Sequence, residues 1–195
     1  MPETARKITP ADILPLKEYD FRRAALKQNL LPMKKARRVE VGPFATFYFE
    51  NYATMWLQVQ EMLRIEKGGE TQLAGELEAY NPLIPQGDEL IATLMLEIED
   101  ADRRQKTLLT LGGIEETVFL DIGADRIRAM PTEYDDRTTA DGKTSSVHWL
   151  RFKLSRDQIA RFKKERLVIG IAHENYGHMA VLGDATRAAL VKDFA

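Results

Sequence analysis

Three histidines, His148, His173 and His178, are the side chains of this 195-residue chain best suited to proton transfer near neutral pH, and all three fall in its last quarter. Glu174 lies among them in the run His173-Glu174-Asn175-Tyr176-Gly177-His178. Imidazoles beside a carboxylate suit zinc, non-haem iron or another divalent metal. The same groups also suit general acid–base work. The spacing does not favour a helical metal motif, because His173 and His178 are five apart rather than four and Gly177 signals a turn. Other chemistry finds little support. The chain has no cysteine, so alone it supplies no disulfide, thiolate zinc site, iron–sulfur cluster or thiol nucleophile. Gly68-Gly69 and Gly112-Gly113 match neither a phosphate loop nor a dinucleotide fingerprint, and there is no Gly-x-Ser-x-Gly elbow. Ser145 and Ser146 adjoin His148, but adjacency along a strand does not create a nucleophile–base pair.

Whether the histidines meet depends on the strands that carry them. Alternation continues the apolar face of Leu150, Phe152 and Leu154 into His148, and that of Leu167, Ile169 and Ile171 into His173. If the two strands run parallel, His148 and His173 end up roughly 20 Å apart at ~3.3 Å per residue. If they run antiparallel with Leu154 opposite Leu167, the two histidines face each other. The intervening helix, capped by Ser155, is long enough for a right-handed parallel crossover. Hydrogen-bonded histidines at strand ends are the simpler expectation.

The remaining elements follow from periodicity and punctuation. Thr9-Pro10 predicts a helix reaching Leu31, with a break at Pro32. The basic run Lys34, Lys35, Arg37, Arg38 precedes a hairpin of Val39–Val41 and Phe44–Phe49 around Gly42-Pro43. Basic residues beside aromatics can bind single-stranded nucleic acid. A net charge of -2 gives no electropositive surface for that, so the run reads as a charged strand edge. Asn51 caps a helix whose Tyr52, Met55, Trp56, Val59, Met62 and Leu63 share one face. Arg64 stands three after Glu61, where a di-iron helix would need histidine. A short helix over 70–80 ends at Asn81-Pro82, and residues 89–99 read as a strand mostly covered on both faces at its start. Asp100 caps a helix stopped by Gly112-Gly113, and a second hairpin spans 118–130. Residues 131–145, with Asp135, Asp136 and Asp141, read as a polar mobile loop. Strand 147–154, helix 155–164, strand 166–173 and a helix opened by Gly183-Asp184 complete the chain. The expected architecture is one α+β domain over 1–195, a largely antiparallel or mixed sheet flanked by helices. The longest apolar run, Leu167–Ala172, falls far short of the ~20 residues of a membrane span, and the first residues lack a signal peptide, so a cytoplasmic protein without membrane contact is expected.

Several segments carry a resemblance over nearly the whole chain. They are Val41-Gly42-Pro43, Phe49-Glu50-Asn51, Gln60-Glu61-Met62-Leu63-Arg64-Ile65-Glu66 and Tyr80-Asn81-Pro82-Leu83-Ile84-Pro85. Ala92–Glu97, Gly113-Ile114-Glu115 and Val147–Phe152 follow in order. Together they resemble a bacterial family known as domain of unknown function 3501. The resemblance transfers no activity. It implies a redox or oxidative-stress context, because genes of the family neighbour rubrerythrin-like and iron–sulfur reductase-like genes. The family's His-Pro-x-Tyr is here His173-Glu174-Asn175-Tyr176, without the proline. The leading expectation is a non-catalytic accessory protein that binds a redox protein partner through Gln60, Glu61, Arg64, Tyr80 and Asn81. A metal-dependent enzyme or metal-binding protein using His148, His173, Glu174 and His178 is one alternative. A small-molecule binding module, with a closed apolar pocket and a few convergent polar groups, is the other.

Overall fold

The alternating apolar residues of the strands sort onto two sheets stacked face to face, with a helical layer on the free side of the larger one. The computed structural model describes residues 6–132, 138–139 and 142–195. In the larger sheet β1 (Arg38–Val41), β2 (Ala45–Phe49), β3 (Glu89–Leu96), β7 (Val147–Lys153) and β6 (Met130–Pro131) lie side by side in that order. In the smaller sheet the order is β5 (Asp125–Arg128), β4 (Val118–Ile122), β8 (Leu167–His173) and β9 (Tyr176–Val181). Every pairing in both sheets is antiparallel. The arrangement is α+β, as the sequence predicts, with two sheets in place of one.

The two inner faces form the main core. Phe47, Phe49, Leu90, Leu94, Leu150 and Phe152 from the larger sheet belong to one buried cluster with Leu120, Ile122, Leu167, Ile169 and Ile171 from the smaller. The opposite face of the larger sheet carries Ile91, which packs with Tyr19, Met55, Trp56 and Val59 in a second cluster. Those residues come from α1 (Leu16–Ala36) and α2 (Tyr52–Glu66), beside which lies α3 (Gly69–Tyr80). β3 is therefore covered on both faces, its even positions towards the sheet-to-sheet core and Ile91 towards the helices. Asn51 caps α2 as expected: its side chain accepts from the Thr54 amide at 3.0 Å, and the Thr54 hydroxyl accepts from the Asn51 amide at 2.9 Å. Asp100 caps α4 (Ala101–Leu109) and Ser155 caps α5 (Arg156–Phe162); α6 (Asp184–Val191) follows β9.

One tyrosine fastens the two sheets at their edge. The Tyr176 hydroxyl on β9 accepts from the amides of Ala45 (3.0 Å) and Phe44 (3.3 Å) and donates to the Val41 carbonyl at 2.7 Å. The hairpin it grips turns at Gly42, with φ +74°, where a Cβ would stand 2.6 Å from both the Tyr176 hydroxyl and the His178 ring. Only glycine fits both that backbone and that approach.

Three expectations change. The N-terminal helix is not one piece: Pro10–Asp12 form a short 3-10 turn, and α1 then runs through Pro32 to Ala36. An internal proline costs a helix about 3 kcal/mol. Here the turn beyond it is held from outside, because Arg37 at its end is anchored to β2 and α6. Second, β7 and β8 share no sheet, so neither the parallel nor the antiparallel pairing applies: α5 carries the chain from one sheet to the other. Third, Gly177 lies in strand β9; the turn falls earlier, at Glu174-Asn175, because Tyr176 pairs with His173. Of the 131–145 segment, Pro131 pairs with Leu150 and Thr138 bridges Thr144. Asp135, Asp136 and Asp141 lie outside the described residues. Among the described residues, no helix is long and apolar enough to cross a membrane.

Candidate functional site

The helix-facing side of the larger sheet carries a row that crosses three strands. Tyr48 on β2 pairs with Thr93 on β3, and Thr93 pairs with Trp149 on β7. The neighbouring pair, Met95 and Val147, extends this floor. Paired residues of antiparallel strands project to the same face, so these side chains form one surface. Above it, α2 supplies Thr54, Met55 and Gln58, α3 supplies Tyr80, and the end of α1 supplies Lys34 and Arg37. Between floor and roof lies a cavity of about 310 Å³.

Glu50 is the acid in its wall. It follows the last residue of β2 and precedes the cap of α2, so the strand-to-helix turn sets its position. Glu50 is 7% exposed, and one carboxyl oxygen accepts from the Thr93 hydroxyl at 2.6 Å. Burial pushes its carboxyl above the usual range, against the opposing effects of the Thr54 and Thr93 hydroxyls and the charges of Arg37 and Lys34. Arg37, 3% exposed, is fully committed elsewhere. It donates to the Phe49, Glu50 and Ala189 carbonyls at 2.9 Å and pairs with Asp193 just beyond α6. Among the described residues, the Lys34 ammonium has no hydrogen-bond or ion-pair partner, nor have the Gln58 amide and the Tyr80 hydroxyl. At the rim, the Tyr48 hydroxyl donates to Glu97 at 2.7 Å, and burial together with that carboxylate pushes it up to about 12. The arrangement offers aromatic and thioether walls, one free cation and one buried carboxyl: the means to hold a small amphipathic molecule.

The histidines are placed apart from this cavity. His148, 1% exposed, points into the sheet-to-sheet core. Its Nε2 lies 2.9 Å from the Ser145 carbonyl, and its Nδ1 lies 3.6 Å from Glu115. His173 donates from Nε2 to the Gly112 carbonyl at 3.2 Å, while its Nδ1 accepts from the Asn175 amide at 3.2 Å, which fixes the tautomer of the neutral ring. The His178 ring lies 4.6 Å from that of Tyr176, and Glu174 is exposed in the turn. Among the described residues, no three His, Asp or Glu side chains come together in a group that could hold a metal ion.

The residues proposed for a partner are engaged within the chain. Gln60 is buried, with its amide 3.4 Å from the Leu14 carbonyl. Glu61 accepts from Arg23 at 2.7 Å and from Lys27 at 3.3 Å, and also from the Tyr19 hydroxyl. Arg64 pairs with Asp20 at 2.6 Å. Asn81 holds the Ile8 backbone in both directions, at 2.7 and 3.0 Å. Tyr80 is the one of the five that lines the cavity.

Glu50, Thr93 and Trp149 were not singled out by sequence reasoning, and Lys34 was read only as part of a charged strand edge. One signal was available: Thr93 is a hydroxyl residue inside a strand read as covered on both faces, and a covered hydroxyl requires a partner.

A search of the solved structures finds a close likeness. A protein of unknown function from Burkholderia pseudomallei K96243, with 34% sequence identity, matches with a TM-score of 0.89 over 97% of this chain and 100% of its own. Among curated proteins, none matches. The family model described as "Protein of unknown function (DUF3501)" matches residues 7–194, and the chain therefore belongs to the DUF3501 family.

Proposed function

We propose that the protein is a binding module for a small molecule, held in the cavity between the larger sheet and α2. The observation that carries this reading is the 310 Å³ cavity in which aromatic side chains converge with the buried Glu50 and the free Lys34. That volume falls within the range of small-molecule sites, about 300–1,000 Å³. Gln60, Glu61 and Arg64, through which a redox partner was expected to bind, are turned to α1 and the segment before it. The test is a thermal-shift screen of metabolites against the wild-type chain and a Gln58→Trp variant, whose exposed position at the cavity wall lets the indole block the space. A ligand present at about 100 times its Kd should raise Tm by roughly 5–10 °C in the wild type and not in the variant. Stabilisers that act equally on both proteins, or a screen without stabilisers, would refute the cavity as a binding site.

A further inference from the structure

The charges around the cavity say which ligand it suits. Lys34 is an unpaired cation, and Arg37 is a second positive charge behind the wall, neutralised by Asp193. Glu50 accepts from the Thr93 hydroxyl and also faces that of Thr54, and no lysine or arginine nitrogen lies within 4.0 Å of its carboxyl among the described residues. A cationic ligand would have to bring the buried Glu50 carboxyl to full ionisation, with Lys34 repelling it. An anionic ligand meets no such conflict: the ammonium attracts it, and a carboxyl retaining its proton can donate to it.

We propose that the cavity takes a small monocarboxylate with an apolar or aromatic body. Its carboxylate is bridged between the Lys34 ammonium and the Glu50 carboxyl, and its body lies against Trp149, Tyr48 and Met95. This rests on the cavity being the binding site. The groups that face the Glu50 carboxyl are Lys34 and Arg37 from α1, Thr54 from α2 and Thr93 from β3. Tyr48 and Tyr80 are the other titratable groups lining the space. Burial favours the protonated form of Glu50, which the bridge requires.

The test compares 3-phenylpropionate, 3-phenylpropanamide and 3-phenylpropylamine by calorimetry on the full chain. The acid should bind at least about tenfold more tightly than either analogue. Lys34→Met should remove that preference. Burial raises the Glu50 carboxyl, so acid binding should weaken in the wild type as rising pH removes its proton, and that dependence should vanish in Glu50→Gln. Tighter binding of the amine or amide, blocked by Gln58→Trp, would overturn the carboxylate assignment and leave the cavity standing as a site. So would an acid preference that survives Lys34→Met. Failure of all three probes would overturn the ligand class, and the broader metabolite screen would then judge the cavity itself.

Discussion

Tyr176→Phe tests the edge staple between the sheets most directly. The substitution keeps the ring and removes one oxygen, which now serves three backbone groups: the Ala45 amide, the Phe44 amide and the Val41 carbonyl. Val41 is 0% and Ala45 1% exposed, so neither can turn to water without opening the hairpin. Phe44 is only partly buried, and water can replace the tyrosine there. Two orphaned buried groups at about 1–3 kcal/mol each, less the easier desolvation of a phenyl ring, give a loss of about 2–5 kcal/mol. For a domain of this size that corresponds to a fall in Tm of roughly 4–20 °C. Urea unfolding should show the midpoint move with the slope unchanged, as expected when stability alone changes. Tyr48→Phe is the control, because its hydroxyl meets Glu97 at an exposed site, and it should cost under about 1 kcal/mol. A loss below about 0.5 kcal/mol in Tyr176→Phe would refute the reasoning, since the three bonds would then contribute nothing beyond water.

Two further outcomes follow from contacts elsewhere. The Arg23 guanidinium, with the Tyr19 hydroxyl and Lys27, holds the Glu61 carboxyl down from 4.5 to about 2. A depressed carboxyl stabilises the fold above its unfolded value and loses that contribution as pH falls from 4.5 towards 2. After allowance for solvent screening at this helix surface, the wild type should lose about 1 kcal/mol more than Glu61→Gln between neutral pH and about pH 2.5, read as the difference in urea midpoints. Equal losses would show that the pairing with α1 contributes no stability. At Gly170 on β8 a Cβ would lie 2.3 Å from the Phe119 ring, which itself has the Arg126 guanidinium 3.7 Å from its centre. Gly170→Val should therefore displace the ring and destabilise by about 1–3 kcal/mol in chemical unfolding, whereas a neutral result would mean that Phe119 moves aside freely.

The strands were legible because one covered face imposes period two, and the even positions of 90–96 and 148–152 did reach the core. Caps were legible because Asn51, Asp100 and Ser155 serve amides only three residues away. What a local pattern cannot hold is partnership. Nothing within residues 147–173 says that β7 and β8 part into different sheets, since that choice depends on the better partners they find in β3 and β4. The cavity was hidden for the same reason. Tyr48, Thr93 and Trp149 are far apart in the chain and become neighbours only through two strand registers. The histidines drew notice because their chemistry is conspicuous, yet two of the three are hydrogen-bonded to nearby backbone at strand ends. Glu61 and Arg64, three residues apart, are placed by sequence to pair with each other, yet their partners, Arg23 and Asp20, lie on α1 some forty residues upstream.

Arg37 and Asp193 stand 156 residues apart in sequence, yet they join in one wall behind Glu50. A growing chain released to the end of α5 would already possess the floor, the roof and the acid of the cavity, but Arg37 would be a buried charge that keeps only its Phe49 and Glu50 carbonyl acceptors and lacks Ala189 and the neutralising Asp193. Such a charge keeps its surroundings open to water. The pocket should consequently mature late, when α6 docks, and ligand capture would report that the chain has been synthesised through Asp193. Released chains shortened stepwise from the C-terminus would then lose binding in a single step once Asp193 is removed rather than gradually.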